Sequence, residues 1–221
     1  QVKQTTCVPG LDVVPANSSL SGAQVELVEM EDRDTRLKSV LAPALSQYDY
    51  IFIDTPPSLG LLTLNSLVSA NRLVVPLQCE YYALEGLGQL VETINLIKES
   101  INSGLELAGV ILTMYDGRMN LTSQVEKEVR DFFPGKVFET VIPRNIRLAE
   151  APSYGQPIFL YDFKSAGSQA YIALVQEFIN REEQVAVAPE DLAPALEETP
   201  EPAVIEEEKT ENAVAVEDNP Q

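Results

Sequence analysis

The feature that most constrains the fold is the regular alternation of short apolar runs with longer stretches of helical periodicity. The apolar runs are rich in β-branched residues and carry few polar positions, which is typical of strands buried on both faces. The predicted strands are 11–15, 50–53, 73–76, 108–114 and 137–142. The predicted helices are 21–30, 33–46, 61–70, 85–101, 121–133 and 169–180. This order favours a mostly parallel sheet with helices on both faces, so we predict a doubly wound α/β domain.

The last part of the chain has a different composition. Residues 182–221 hold 13 acidic residues, one lysine, five prolines and no aromatic residue. A segment of this kind buries too little apolar surface to offset the conformational entropy lost on ordering. We therefore predict a folded part over residues 1–181 and a disordered acidic tail over 182–221, which is either a solubilising extension or a mimic of DNA.

Several classes of protein are disfavoured by residues that the sequence lacks. It contains no histidine, which argues against Ser-His-Asp triads and histidine-ligated metals. The two cysteines, Cys7 and Cys79, are far apart and form no CxxC motif, so we expect reduced thiols in a cytoplasmic protein. No apolar run approaches the roughly 20 residues of a membrane-spanning helix, and we expect no membrane partner.

Ligands of doubly wound sheets bind beyond the carboxyl ends of the strands. Four polar or Pro/Gly-rich segments follow predicted strands and are expected to line this edge: 54–58, 76–80, 115–118 and 143–147. Asp54 follows a predicted buried strand, at a position where P-loop NTPases place the carboxylate that orients Mg²⁺, usually through water. A loop-bracing or helix-capping aspartate is about equally consistent with its position. Two prolines after Thr55 stiffen this loop, which favours a role in ligand binding.

The sequence contains no glycine-rich phosphate cradle. The pattern G-x-x-x-x-G-K-[ST] is absent, and Gly86 and Gly88 lack the third glycine of a G-x-G-x-x-G motif. From its own residues, therefore, the chain shows no site for a triphosphate.

Three segments carry a resemblance to a known family. They are 48–60 (YDYIFIDTPPSLG), 78–86 (QCEYYALEG) and 141–152 (VIPRNIRLAEAP). In this order they closely resemble the ParA/Soj partitioning ATPases of chromosomes and plasmids, which belong to the deviant Walker A group of P-loop ATPases. The resemblance runs from about residue 11 to residue 180, so that 1–181 is similar to the C-terminal portion of such an ATPase domain.

The resemblance implies an ATPase that binds ATP and Mg²⁺ and forms an ATP-dependent homodimer. The dimer is expected to bind DNA without sequence preference, on the nucleoid, and to be released when a ParB-like centromere-binding partner stimulates hydrolysis. Asp54 is similar to the catalytic aspartate near Mg²⁺ and the attacking water. The residues similar to the family's purine pocket are Thr113, Met114, Pro143, Arg144 and Asn145. Arg118 and Arg147 are similar to the arginines that bind DNA phosphates.

The same resemblance places the family's glycine-rich loop and its lysines upstream of residue 1. Stabilisation of the transferring phosphoryl group depends on such groups. We therefore expect a P-loop NTPase-like sheet that lacks the P-loop strand, and a polypeptide that is a fragment and does not hydrolyse ATP alone.

Net charge bears on the DNA hypothesis, because a chain at −19 is repelled by phosphates at long range. Charges beyond about 8–10 Å are largely screened at cellular salt, so a local patch around Arg118 and Arg147 is still able to bind DNA. Lys127, Arg130 and Arg144 are candidates for the same patch. Without the resemblance, each arginine is more simply an ordinary solvated loop residue.

Two other functions remain open from the sequence. A MinD-like positioning ATPase tethers to membranes through a basic amphipathic C-terminal helix, which the acidic residues 182–221 do not provide. A non-catalytic scaffold that retains the fold is the third candidate.

Overall fold

The computed structural model describes residues 2–56, 58, 60–80 and 83–187. The chain divides into two units, Gln1–Arg181 and Glu182–Gln221. Of the second unit only residues 182–187 are described, and they are helical. The rest of the predicted acidic tail lies outside the described residues, so its disorder stays a prediction.

The described residues contain four strands and eight α-helices. The strands are β1 (Gln4–Thr5), β2 (Asp12–Val13), β3 (Arg72–Gln78) and β4 (Glu106–Thr113). The helices are α1 (Leu20–Val28), α2 (Arg36–Leu41), α3 (Leu61–Ser69), α4 (Ala83–Ser100), α5 (Asn120–Phe132), α6 (Ile146–Glu150), α7 (Ile158–Tyr161) and α8 (Ala166–Val187). Short 3₁₀ turns follow α2 at Ala42–Ala44 and α6 at Ala151–Tyr154. All six predicted helices are present, but the second ends early and the last continues past its predicted end at residue 180 to Val187, and α6 and α7 are additional.

The early end of α2 has a local cause. Pro43 has no N–H to continue the helical ladder, and the chain tightens there into a 3₁₀ turn. The buried side chain of Asn65 fixes the preceding turn, because its amide nitrogen donates to the Arg33 carbonyl at 2.6 Å and its oxygen accepts from the Leu37 N–H at 3.0 Å. Helix α3 therefore sets the position of α2.

The sheet is parallel, as predicted, and is centred on β4. Strand β3 pairs with β4 from Arg72 opposite Glu106 to Gln78 opposite Thr113. On the other side, Val110 of β4 forms a parallel bridge with Val137, and Tyr115, two residues after β4, forms a second one with Pro143. The predicted strand 137–142 is thus realised as isolated bridges beside β4 rather than as a continuous ladder.

Helices cover both faces of this sheet, which confirms the doubly wound arrangement. Successive strand side chains point to opposite faces, so each strand contributes to two cores. The α5 side is formed mainly by Val75, Leu77, Val110, Leu112, Val125 and Val129. The α8 side is formed by Phe138, Ile142 and Leu174, with Val74 and Ile111 packed against them.

The predicted buried strand at 50–53 is wrong in this structure. Phe52 is 79% exposed and Tyr50 is 51% exposed. Among the described residues, 50–56 make no backbone–backbone hydrogen bond, and they have no regular secondary structure. The two rings stack on each other at 6.2 Å between centroids and lie 6.0 and 6.3 Å from the Phe178 ring of α8. A β-strand is stabilised by its neighbours, and no described segment pairs with this one.

The predicted strand at 11–15 is also different. Asp12 and Val13 pair antiparallel with Thr5 and Gln4 in a small hairpin that is separate from the parallel sheet. Gly10 at φ +79° supplies the left-handed turn residue that lets the chain reverse. This strand therefore contributes nothing to the predicted ligand edge.

The close packing of β4 on the neighbouring segment depends on Gly109. A Cβ atom at this position would lie 2.5 Å from the Phe138 ring and 2.7 Å from the Lys136 carbonyl oxygen. Because backbone cannot move aside cheaply, we expect Gly109→Ala to lower the free energy of unfolding by about 1–3 kcal/mol. Urea denaturation of the 221-residue chain measures this change.

A matched control is Gly22→Ala in α1, where a Cβ atom meets nothing within 4 Å. Alanine is the better helix former, so this substitution is expected to be neutral or stabilising by up to about 1 kcal/mol. Equal unfolding midpoints for the two variants would contradict the packing argument at Gly109.

Candidate functional site

Backbone pairing brings three of the four predicted ligand-edge segments together at the carboxyl end of the sheet. The Cys79 N–H donates to the Thr113 carbonyl at 3.4 Å, which joins the end of β3 to the end of β4. The Tyr115 N–H donates to Ile142 at 3.0 Å, and the Arg144 N–H donates to Tyr115 at 3.0 Å. Segments 76–80, 115–118 and 143–147 therefore form one edge, which we call the rim.

Thr113 and Met114 lie at the start of this rim. The Thr113 hydroxyl donates to the Leu77 carbonyl at 3.2 Å, which ties the end of β4 to β3 by a side chain as well. Met114 has φ +52° and is 41% exposed. A non-glycine residue in this region costs roughly 1 kcal/mol or more, and such strain is common at ligand-binding sites. The strained backbone at the end of β4 is thus a second indication of function there.

Pro143, Arg144 and Asn145 lie directly beside that strand end. Pro143 bridges to Tyr115. Asn145 is the N-cap of α6, and its side-chain oxygen accepts from the Arg147 N–H at 2.9 Å. This cap fixes where α6 begins, and Arg147 is the second residue of that helix.

Asp54 is placed differently from the other candidates. It is exposed and lies in the irregular segment described above, and no hydrogen bond or ion pair joins it to the described residues of the rim. Two carbonyl groups shortly after Asp54 accept hydrogen bonds from α3. The Thr63 hydroxyl donates to the Ser58 carbonyl at 2.6 Å and lies 3.4 Å from the Pro56 carbonyl. Across the described residues, no three Cys, Asp or Glu side chains group closely enough to hold a metal ion. Asp54 therefore offers a single carboxylate, not a preformed cage.

Arg118 is held by the carboxylate two residues before it. Its Nε donates to Asp116 Oδ1 at 2.8 Å and its Nη2 to Oδ2 at 2.6 Å, in a two-pronged geometry. The Arg118 N–H also donates to Oδ1 at 3.2 Å. The arginine side chain is 89% exposed and the aspartate side chain 17% exposed. These hydrogen bonds from Arg118 lower the pKa of Asp116 to about 2.

Arg147 is held by two carboxylates. Its Nη1 donates to Glu150 Oε2 at 2.8 Å, and its Nε lies 3.4 Å from Asp162 Oδ2. The Tyr161 hydroxyl donates to the same Glu150 oxygen at 3.0 Å. The hydrogen bond from Arg147, followed by that from Tyr161, lowers the pKa of Glu150.

Two of the other basic candidates are also paired with acidic side chains, whereas Lys127 is exposed on α5, between Glu126 and Glu128 in the sequence. Arg144 lies 3.8 Å from Glu80. Arg130 is directed to Glu126 and Glu139 rather than to the rim. Sequence analysis identified these arginines but not their carboxylate partners. The spacing of Arg118 two residues after Asp116 and of Glu150 three residues after Arg147 is the local signal that indicates such pairs.

Comparison with known proteins identifies a matching family and several relatives of this chain. Residues 1–107 match the family described as AAA domain. The chain is 54% identical over 172 residues to the chromosome partitioning protein ParA of Myxococcus xanthus, covering 78% of this chain and 61% of that protein. It is 53% identical over 176 residues to the sporulation initiation inhibitor protein Soj of Bacillus subtilis, covering 80% of this chain and 69% of that protein.

Solved structures show the same fold. The structure of cobyrinic acid a,c-diamide synthase from Mycobacterium smegmatis with bound ADP and magnesium is 33% identical, has a TM-score of 0.70, and is matched over 83% of this chain and 67% of its own. The cell division ATPase MinD of Pyrococcus furiosus is 19% identical with a TM-score of 0.62, matched over 83% of this chain and 70% of its own. The chain thus has the α/β architecture of the P-loop NTPases.

The chain belongs to the ParA/Soj family of chromosome-partitioning ATPases, as its sequence motifs predicted. It spans less than two thirds of the length of the Myxococcus relative. None of the helices that the structure describes is long and apolar enough to cross a membrane.

The Arg118–Asp116 pair gives a prediction on pH. Since its folded-state pKa is lowered, the Asp116 carboxylate stabilises the loop above about pH 4 and loses that contribution as the pH falls toward 2. We expect Arg118→Ala to raise the pKa of Asp116 toward about 4, as measured by NMR titration of the side-chain carboxyl carbon.

The matched control is Arg36→Ala, which removes the guanidinium that lowers the pKa of Asp32. This variant is expected to raise the pKa of Asp32 and to leave that of Asp116 unchanged. An Asp116 pKa that is the same with and without the Arg118 side chain would refute the pairing.

Proposed function

We propose that this chain supplies the purine-binding, Mg²⁺-facing and DNA-binding parts of an ATP-dependent partitioning ATPase. The observation that carries the proposal is the rim, where backbone pairing joins the end of β4 to the segment 143–147. This juxtaposition supports a purine pocket formed by Thr113, Met114, Pro143, Arg144 and Asn145. The relatives named above, at just over 50% identity, are partitioning proteins, which supports the same role here.

The described residues fit part of an ATP–Mg²⁺ site. Mg²⁺ in nucleotide sites is commonly bound through one or two carboxylates together with substrate phosphates and water, and Asp54 provides one such carboxylate. A phosphate cradle of backbone N–H groups is not supplied by the described residues. Bound Mg²⁺ neutralises charge on the phosphates, and Asp54 is proposed to orient Mg²⁺ through water and to position the attacking water.

DNA binding is proposed to use Arg118 and Arg147. They belong to two segments that the Tyr115–Pro143 bridge holds side by side. Few phosphate contacts for each subunit give weak, salt-sensitive binding. ATP-dependent dimerisation would strengthen it by presenting both sets of arginines to one duplex. Hydrolysis stimulated by a ParB-like partner would then release the protein from the nucleoid, within the cytoplasm.

The role of Asp54 is tested on the product of the complete gene, because we expect no turnover from the 221-residue chain alone. Asp54→Asn is expected to lower Mg²⁺-dependent ATP hydrolysis by about 100-fold or more while ATP binding is retained, since a catalytic carboxylate contributes on this scale. Phosphate release and nucleotide binding are measured in parallel.

The control for this test is Asp49→Asn, the same change at an exposed aspartate shortly before Asp54. It is expected to hydrolyse ATP at the wild-type rate. Unchanged hydrolysis by Asp54→Asn would remove Asp54 from the mechanism.

The DNA-binding role is tested with Arg118→Ala combined with Arg147→Ala in the same complete protein. Loss of both cations is expected to abolish retention of non-specific duplex DNA and to spare ATP binding, because phosphate contacts dominate such affinity. Arg36→Ala, which removes an exposed arginine of α2, is the control. Retention of DNA by the double variant would contradict the proposal, and loss of ATP binding as well would indicate a folding defect instead.

A further inference from the structure

Both arginines that we assign to DNA binding are already occupied by carboxylates of the same chain. We propose that Asp116, together with Glu150 and Asp162, acts as an intramolecular competitor for DNA phosphate at Arg118 and Arg147, so that these acids set the DNA affinity. The inference rests on the proposed DNA-binding function and goes beyond it, because it assigns a role to acidic residues that do not themselves bind DNA.

The geometry at Arg118 is that of direct competition. A guanidinium binds carboxylate and phosphate through the same pair of parallel N–H groups, and Asp116 engages Nε and Nη2 at 2.8 and 2.6 Å. A phosphate that uses this edge must displace the carboxylate. A phosphate that uses the remaining N–H groups meets a cation whose charge Asp116 already offsets.

The loop keeps Asp116 in place to compete. The Arg118 N–H donates to Asp116 Oδ1 at 3.2 Å, and the Met119 N–H donates to the Asp116 carbonyl at 3.0 Å. The carboxylate is mostly covered while the arginine is almost fully exposed. Little conformational entropy is therefore lost when the pair re-forms after DNA dissociates.

Competition at Arg147 involves two acids. Glu150 on α6 and Asp162 just after α7 approach different nitrogens of the guanidinium, and Tyr161 donates to Glu150 and holds it. Two carboxylates around one guanidinium leave a local negative charge. The rim pair between Arg144 and Glu80 adds no net charge. These paired side chains thus contribute a slightly negative charge to the proposed DNA face rather than a positive one.

The test is Asp116→Asn in the product of the complete gene. Asparagine keeps one side-chain oxygen that can accept from the Arg118 N–H, so the turn of the loop is retained, whereas the negative charge and the acceptor for Arg118 Nη2 are both removed. With ATP present, the affinity for non-specific duplex DNA is expected to rise about three- to tenfold at low salt, since exposed ion pairs and added phosphate attraction act on this scale. Glu150→Gln is expected to act in the same direction.

The matched control is Asp32→Asn, which removes the same charge from an exposed carboxylate that lies 2.8 Å from Arg36. This variant reports the effect of net charge alone, and its DNA affinity is expected to stay within about twofold of wild type because distant charges are screened. Equal tightening by Asp32→Asn and Asp116→Asn would overturn the proposal in favour of a net-charge effect.

A double-mutant cycle separates this inference from the function on which it rests. The gain from Asp116→Asn is expected to vanish when Arg118→Ala is also present. If Arg118→Ala and Arg147→Ala leave DNA affinity unchanged, the DNA-binding function itself fails. If they weaken it while Asp116→Asn leaves it unchanged or lowers it, that function stands and the competition is refuted. Should Asp116→Asn fail to fold, Glu150→Gln decides by the same criteria, with Arg147→Ala in place of Arg118→Ala in the cycle.

Discussion

The structure depends on the backbone pairing of β4 on both of its edges. One edge carries the ladder with β3, and the other meets residues 137–143 at Val110 and again at Tyr115. Parallel pairing places the carboxyl ends of all three segments at the same edge of the sheet. Main-chain hydrogen bonds therefore position Thr113 and Arg144 of the candidate purine pocket, and the side-chain cap of Asn145 adds to this arrangement. The rim therefore depends on the close packing at Gly109, although Gly109 lies several residues from any candidate ligand-binding residue.

Sequence periodicity predicted best those elements whose partners are close and apolar. Helix α5 is an example, because Val125 and Val129 pack directly on the sheet and their spacing is visible in the sequence. The strand at 50–53 has an equally clear apolar pattern, and yet it forms no ladder among the described residues. A strand needs a neighbour, and pattern alone does not reveal whether one is present. Helices α6 and α7 are too short for periodicity, and each follows a local stop or cap at Asn145 or Pro157.

Sequence reasoning likewise predicted one part of the candidate site and missed another. The rim could be predicted because strand ends in a parallel sheet converge, and the structure does bring the segments around Met114 and Pro143 together. The same reasoning placed Asp54 at this edge. That prediction depended on a strand at 50–53, which the structure does not contain. The carboxylate partners of the arginines lay beyond sequence reasoning, except for local spacings such as Asp116 to Arg118. The approach of Asp162 to Arg147 joins segments on either side of α7 and is a tertiary contact that only the structure supplies.

The charge balance of the rim changes how DNA binding by such a chain should be understood. The sequence carries a net charge of −19, and in the part of the chain that the structure describes the arginines of the proposed DNA face are paired with carboxylates. Long-range attraction therefore cannot steer the protein to DNA, and screening limits the repulsion to nearby groups. For the proposed DNA-binding function, binding would come from short-range exchange, in which phosphate replaces a carboxylate at Arg118 and at Arg147. Each such exchange releases little free energy, so the affinity for DNA would depend on how many phosphate–arginine contacts form at the same time. On the same proposal, a dimer that presents two such faces would gain far more affinity than a monomer, and DNA retention would follow nucleotide-dependent assembly without a separate switch.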